Sequence, residues 1–509
     1  MIYMQYWQNY WQYKDIPHDR PRPLLEIFKT LSKYGIKEQV LEESKYYTKL
    51  YEKFKGSGPF CGFYHLLDTR VLVLDTEVMQ QILIKNFSNF NERGYYHNIS
   101  KDPLSADLFS LGGQIWQEMR LKLESLFHET NLKSYQKIMQ RESEKLLIML
   151  NKQNEDFLID MKIFLHHYVL STLASLVFGL KDEKWLQKYP LEKFDHMTHL
   201  ALHTRRHDPY LSALMQRYPK IFRRFGFSTT SLDVHNYFHA LLSEVLSERE
   251  TNSEVREDLL ENLLSILIQE LHTHEIENLR DPPQLKTHLL NELLAQAFTF
   301  LRAGLEPTEK TLIYVLYELA KDLVLQQRVR DEILKQRKLN KNQCNYECIQ
   351  SLKVLELIIK ETLRLHPITP YLIRRTLSDY VVSSNSRYLI PKNTYVVIPI
   401  QALHQDSSFY TQPKLFNPQR FNASDNDSAR ESMLWFGYGM GPRNCVGSRF
   451  AQLQILTLLT FLLSEYEFSL DAHQQLNEDS AETLPLKIKS LNRRSEYVEY
   501  VEGVESLVE

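Results

Sequence analysis

Tyr438-Gly439-Met440-Gly441-Pro442-Arg443-Asn444-Cys445-Val446-Gly447 is the stretch whose reading decides the fold. Three glycines and a proline surround a single cysteine, and an amphipathic helical pattern starts at Ser448. Glycines let a backbone turn sharply and come close to a flat partner. A helix that starts beside the sulfur turns its positive end toward a thiolate. Two readings of Cys445 meet these conditions: the axial thiolate of a haem iron, or a buried free thiol in a Gly-rich turn.

Around this stretch the chain reads as one large globular body. Its 509 residues are 43% hydrophobic and 25% charged, enough apolar material for a sizeable core. A formal net charge of -3 gives no electrostatic reason to expect nucleic acid as a partner. Four scattered cysteines, Cys61, Cys344, Cys348 and Cys445, do not make a disulfide framework and point to a reducing compartment. Cys344 and Cys348 have no second pair of ligands nearby and read as structural thiols rather than a zinc site. Met1 to Asp15 is aromatic but interrupted by Gln and Asn. It lacks the run of roughly 20 apolar residues that spans a bilayer, so it fits either a membrane interface or a segment packed on the body.

Helical periodicity covers 114–127, 137–150, 156–178, 234–250, 287–323, 350–365 and 448–463. Short strands are expected at 71–74, 395–400 and 486–489. The chain is therefore mainly α, with small peripheral sheets. The longest run exceeds the usual length of a globular helix, so it is expected to cross the centre of the fold.

The cysteine stretch resembles the haem-binding loop of microsomal cytochromes P-450, most closely the insect detoxification and hormone-metabolising families. Further stretches in family order support the resemblance: Asn89-Phe90-Asn91-Glu92-Arg93-Gly94, Asp102-Pro103-Leu104-Ser105-Ala106, Tyr317-Glu318-Leu319-Ala320 and Phe416-Asn417-Pro418-Gln419-Arg420-Phe421. The resemblance implies a cytochrome P-450 fold over 31–492, an approach segment at 1–30 lacking a full membrane anchor, and an acidic extension at 493–509. It implies haem b as cofactor, with Cys445 as the iron ligand and Tyr438, Gly441 and Gly447 shaping the loop. Trp116, Arg120, Arg374 and Arg443 match the residues that hold the haem propionates, and Arg375 takes the place of Arg374 if the register slips by one. A guanidinium fork suits a carboxylate because it donates two parallel hydrogen bonds.

Glu361 and Arg364 lie three apart on one helical face, a spacing that by itself describes a surface ion pair. In the family the pair meets a third residue, here Arg420, in a buried trio that braces the cysteine loop. Gln419 stands where the family usually has Glu.

Two positions depart from the family pattern. Tyr438 replaces the usual Phe seven residues before the cysteine, and its hydroxyl either tunes the sulfur or points to solvent. In Ala303-Gly304-Leu305-Glu306-Pro307-Thr308 the threonine of the oxygen-activation motif is Pro307. That alcohol helps deliver a proton for O–O scission, which proline cannot do. Thr308 lies about 100° further round the helix and reaches the oxygen pocket only if a kink rotates it. Glu306 keeps the acid, a proton relay if an ordered water joins it.

The activity implied is a monooxygenase that inserts one atom of O2 into a lipophilic substrate (xenobiotic, hormone or other lipid), with electrons from NADPH through a flavoprotein reductase. Pro307 keeps two alternatives open: a haem-thiolate isomerase or dehydratase of a hydroperoxide, and a haem-binding protein with impaired catalysis. The expected location is the cytosolic face of the endoplasmic reticulum, attached peripherally to the membrane surface, with a soluble protein as the alternative. The family's pocket-lining segments fall at 105–113, 201–210, 298–303 and 368–373, which read as mixed apolar and aromatic.

Overall fold

The computed structural model describes residues 9–21, 36–65, 68–152, 158–180, 183–204, 206–252, 256–273, 282–382, 387–422, 434–471 and 483–491. The 493–509 extension and most of the 1–30 approach segment lie outside these residues.

The longer helices are α1 (Ile36–Phe54), α2 (Gly113–Glu124), α3 (Glu129–Asn151), α4 (Met161–Phe178), α5 (Leu191–His203), α6 (Leu232–Asn252), α7 (Leu259–Thr273), α8 (Pro282–Lys321), α9 (Leu323–Leu339), α10 (Lys353–Leu365) and α11 (Ser448–Glu465). The strands are β1 (Phe60–His65), β2 (Asp68–Val73), β3 (Leu158–Asp160), β4 (Leu372–Arg375), β5 (Tyr380–Val381), β6 (Leu389–Ile390), β7 (Tyr395–Ile398), β8 (Tyr466–Ser469) and β9 (Pro485–Ser490). One sheet has the order β1-β2-β7-β4, parallel only between β2 and β7. A second has the order β3-β9-β8, and β5 pairs with β6.

Helix boundaries follow the caps. The periodicity expected from 156 to 178 begins as a helix only at Met161, because the Asp160 carboxylate accepts from Lys162 N. The three residues before it pair with β9 instead. Gly179, in the left-handed region at φ 70°, closes the helix. α4 is long and apolar enough to cross a bilayer, but 67% of it is buried inside the protein, which makes it a core helix. The run expected from 287 to 323 is a 40-residue helix from Pro282 that stops at Lys321. Asp322 then caps α9 by accepting from Leu325 N.

The helices pack around α8, whose Leu293, Leu294, Leu301, Leu305, Leu312, Ile313 and Leu316 are all buried. Gly304 lets α4 approach closely, since a Cβ there would lie 3.0 Å from Leu173. A smaller core joins α1 to the first sheet.

Of the aromatic N-terminal stretch, the described part packs on the body. Trp11 is fully buried, and its Nε1–H donates to Phe63 O at 3.2 Å. The indole lies against β1 at Gly62, where a Cβ would come within 2.3 Å of the ring. Trp11→Ala should therefore destabilise the protein by about 3 to 5 kcal/mol, measured as a lower urea midpoint.

Candidate functional site

The cysteine loop is wound by its glycines and pinned from three sides. Gly439 and Gly441 sit at φ 75° and 74°. A Cβ on Gly441 would fall 2.0 Å from the Leu83 carbonyl oxygen, so only glycine fits against the π-helical turn Gln81–Lys85. Cys445 N donates to Tyr438 O at 2.8 Å, and Asn444 N to Gly441 O at 2.9 Å. α11 begins three residues after the sulfur, with Gly447 as its N-cap.

The Cys445 side chain is exposed to a water-sized probe, yet burial raises its thiol pKa. Opposing the burial effect, the Gly447 backbone N–H and the Arg120 and Arg93 charges favour the thiolate.

Above the loop lies a group of buried guanidinium side chains. Burial first, then repulsion from neighbouring guanidinium groups, pulls Arg443 down to about 8 and Arg374 to about 9 from the ordinary range. Arg93 falls to about 10, again mainly through burial. Arg443 donates from Nε to Asn91 O at 2.6 Å and lies 4.2 Å from the centre of the Trp116 ring, which is itself buried. Arg374 Nε and Arg443 Nη1 are buried without a hydrogen-bond partner among the described residues. Two carboxylates set among these groups would take the orphaned donors and relieve the repulsion. The donor set therefore fits the two propionates of haem b.

Of the two neighbouring arginines, Arg374 faces this group, while Arg375 pairs with Glu92 at 2.5 Å. Arg120 grips the loop itself, donating from Nη1 to Asn444 O at 2.6 Å and from Nη2 to Asn444 Oδ1 at 2.9 Å, with Nε on Glu124 at 2.9 Å. Arg93 belongs to the same group, though its stretch of sequence carried no sign of that role.

The bracing trio is assembled in full. Glu361, Arg364 and Arg420 have side chains 0%, 0% and 5% exposed. Arg364 donates to both Glu361 oxygens at 2.8 and 2.9 Å, and Arg420 Nε donates to Oε1 at 3.0 Å. Gln419 leaves these contacts intact, its own backbone N–H donating to Asn417 Oδ1.

A residue without a sequence signal carries the trio to the loop. Arg364 Nη1 donates to the His404 carbonyl at 2.7 Å, and Phe436 N donates to His404 Nε2 at 3.0 Å. Since Nε2 accepts, the proton is on Nδ1, which donates to Arg364 O at 3.1 Å.

The distal side departs from expectation. α8 runs through Pro307 without a break, and Thr311 Oγ1 donates to the Pro307 carbonyl at 2.7 Å. Thr308 is 3% exposed. Glu306 turns toward α5, its carboxylate 2.6 Å from His203 Nε2. It lines a cleft of about 430 Å³ between α4, α5 and α8, along with His166 and Glu309. The Tyr438 hydroxyl does not reach solvent. It is buried without a hydrogen-bond partner among the described residues, and burial and the nearby Cys445 raise its pKa.

The sequence profile described as Cytochrome P450 matches residues 20–492. Over 479 residues the chain is 41% identical to a probable cytochrome P450 317a1 of Drosophila melanogaster, covering 94% of this chain and 91% of that one. It is 33% identical to cytochrome P450 6a2 of the same fly, over 91% of this chain and 89% of the relative. Cytochrome P450 6A1 of Musca domestica is 31% identical, over 96% and 95%.

Burial, then the Arg364 charge, push the His404 pKa from 6.5 down to about 3. Above pH 6.5 the imidazole is neutral whether folded or unfolded, and its bonds stabilise the fold in full. As pH falls from 6.5 toward 3, the unfolded chain binds a proton that the folded chain refuses, costing about 1.4 kcal/mol per pH unit. The acid-side slope of unfolding free energy should be shallower by that amount in His404→Gln. An equal slope in both proteins would place the acid sensitivity elsewhere.

Proposed function

The chain belongs to the cytochrome P450 family, and from that premise we propose that it hydroxylates a lipophilic substrate with electrons from NADPH passed by a flavoprotein reductase. Haem-thiolate monooxygenase chemistry is the family's activity, and haem b is its cofactor. The observation that supports the assignment of the site is an accessible Cys445 in a glycine-wound loop near the buried, underpartnered Arg374 and Arg443.

Bound haem b supplies the iron at which O2 is activated for transfer of one oxygen atom. Cys445 would hold its iron as the thiolate ligand, and the Gly447 N–H and the Arg120 charge favour the ionised sulfur. Arg374 and Arg443 would hold the propionates, and Trp116 supports Arg443 through its ring face. Arg120, expected to hold a propionate, acts mainly by fixing Asn444 and so the sulfur's height. Glu361, Arg364 and Arg420 position the loop through His404.

Proton delivery is the weak point of this arrangement. Pro307 has neither a hydroxyl nor an N–H to offer, and Glu306 is held by His203 at the outer cleft. Electrons should therefore be spent partly on reduced oxygen species rather than product. The same feature favours a second reading, isomerisation or dehydration of a preformed hydroperoxide, which needs no such proton. Turnover of organic hydroperoxide without NADPH or O2, and none with them, would select it.

The proposed location is the cytosolic face of the endoplasmic reticulum. Peripheral attachment is supported by apolar surface at Ile221 and Phe225, 54% and 74% exposed, beside Lys220 and Arg224. Fractionation of the expressed full-length chain tests it.

Cys445→Ser should move the absorption band of the reduced carbon monoxide complex away from the thiolate position, and a retained thiolate band would refute the ligand assignment. Pro307→Thr should raise the product formed per NADPH, because it restores a hydroxyl able to pass on a proton. Unchanged coupling would mean that another group already delivers the proton.

A further inference from the structure

Pro307 leaves its mark one turn earlier on α8. A residue inside a helix donates its N–H to the carbonyl four positions back, and proline has no N–H to donate. The carbonyl left over is that of Ala303. α8 nevertheless runs on through Pro307 to Lys321, so the acceptor is held within an intact helix. Neighbouring hydroxyls are spent elsewhere: Thr311 Oγ1 donates to the Pro307 carbonyl at 2.7 Å, and Thr299 Oγ1 to the Ala295 carbonyl at 3.1 Å.

The Ala303 position is open. It is exposed, while Leu301 before it and Leu305 after it are 0% and 3% exposed. It does not share the outer cleft, whose wall on α8 is made by Leu305, Glu306, Glu309 and Lys310. The residues just before it meet the 106–111 loop instead. Thr299 Oγ1 accepts from Leu108 N at 3.1 Å, and Arg302 Nη1 donates to Asp107 Oδ2 at 3.1 Å. Ala303 therefore opens onto the space beside that loop.

The rest of this wall offers a guest little polar contact. Phe298 and Phe300 are apolar, Thr299 is bonded to the loop, and Arg302 is paired with Asp107. The Ala303 carbonyl lacks its helical partner. A guest that covers such an acceptor strips off its water, and a guest with no donor to replace that water binds less well. A hydroxyl on the guest restores the bond.

We infer that the substrate is a lipophilic alcohol whose hydroxyl donates to the Ala303 carbonyl. One proline thus does two things, removing the motif's threonine and setting a preference for a hydroxylated guest. The inference rests on the monooxygenase reading and narrows its substrate class. An ordered water that stays on the carbonyl is the competing occupant.

The test is equilibrium binding to the holoenzyme, by calorimetry, of decanol against its methyl ether, which has an acceptor oxygen but no donor. The wild-type protein should bind the alcohol roughly tenfold more tightly, the worth of one hydrogen bond to an acceptor that is otherwise covered. Pro307→Ala restores the N–H and satisfies the carbonyl from within the helix, a change that helices tolerate well. In that variant the preference should fall to within about twofold, with the ether bound as in the wild type to within about twofold. Equal binding of alcohol and ether by the wild-type protein overturns the inference and leaves the carbonyl to water. A preference that survives in Pro307→Ala overturns it as well, since direct ligation of the iron by the alcohol gives that result. A wild-type protein without the thiolate-type carbon monoxide band would instead sink the haem-thiolate reading, whichever guest it prefers.

Discussion

A single buried carboxylate, Glu361, holds the site together. It is shared by Arg364 and Arg420, and its Oε1 also accepts from Asn417 N at 2.9 Å. Burying one anion with two cations is expensive, and the geometry offsets the cost only because both carboxylate oxygens are used in charge-assisted bonds. The arrangement has one low-energy form, so the backbone it touches has one as well. Through His404 that form reaches Phe436, two residues before Tyr438, whose carbonyl accepts the Cys445 N–H. A chain of hydrogen bonds thus links the ion cluster to the loop that carries Cys445.

Most of the fold was legible because it depends on local chemistry. The helical periods of α2, α6, α10 and α11 matched their helices to within a few residues, α3 begins eight residues before its expected start, and β7 ended where Pro399 stops a strand. At α4 and α8 the boundary errors fell where a cap overrides periodicity, at Asp160 and Asp322, while α1, α5, α7 and α9 were not expected at all. β1 escaped notice because its Phe-Cys-Gly-Phe-Tyr run does not alternate, being buried along nearly its whole length.

The site was legible in its residue types and less so in their partners. Glu361, Arg364 and Arg420 meet in one buried cluster, and Arg374 and Arg443 lie near one another close to the cysteine loop. Sequence spacing could not tell that Arg120 would turn to Asn444, that Glu306 would meet His203 from a helix a hundred residues earlier, or that the Tyr438 hydroxyl would be buried. Those outcomes depend on tertiary neighbours. His404 lay in no motif, and the stretch that holds Arg93 gave no sign of its place, because both placements exist only once distant segments meet.

The seating of Gly441 on the Leu83 carbonyl has a mechanical consequence. With no side chain between them there is nothing to compress, so the Gln81–Lys85 turn and the cysteine loop behave as two faces of a dry bearing. Any displacement of that turn is handed on to the sulfur without damping, whereas a side chain in the gap would act as a spring.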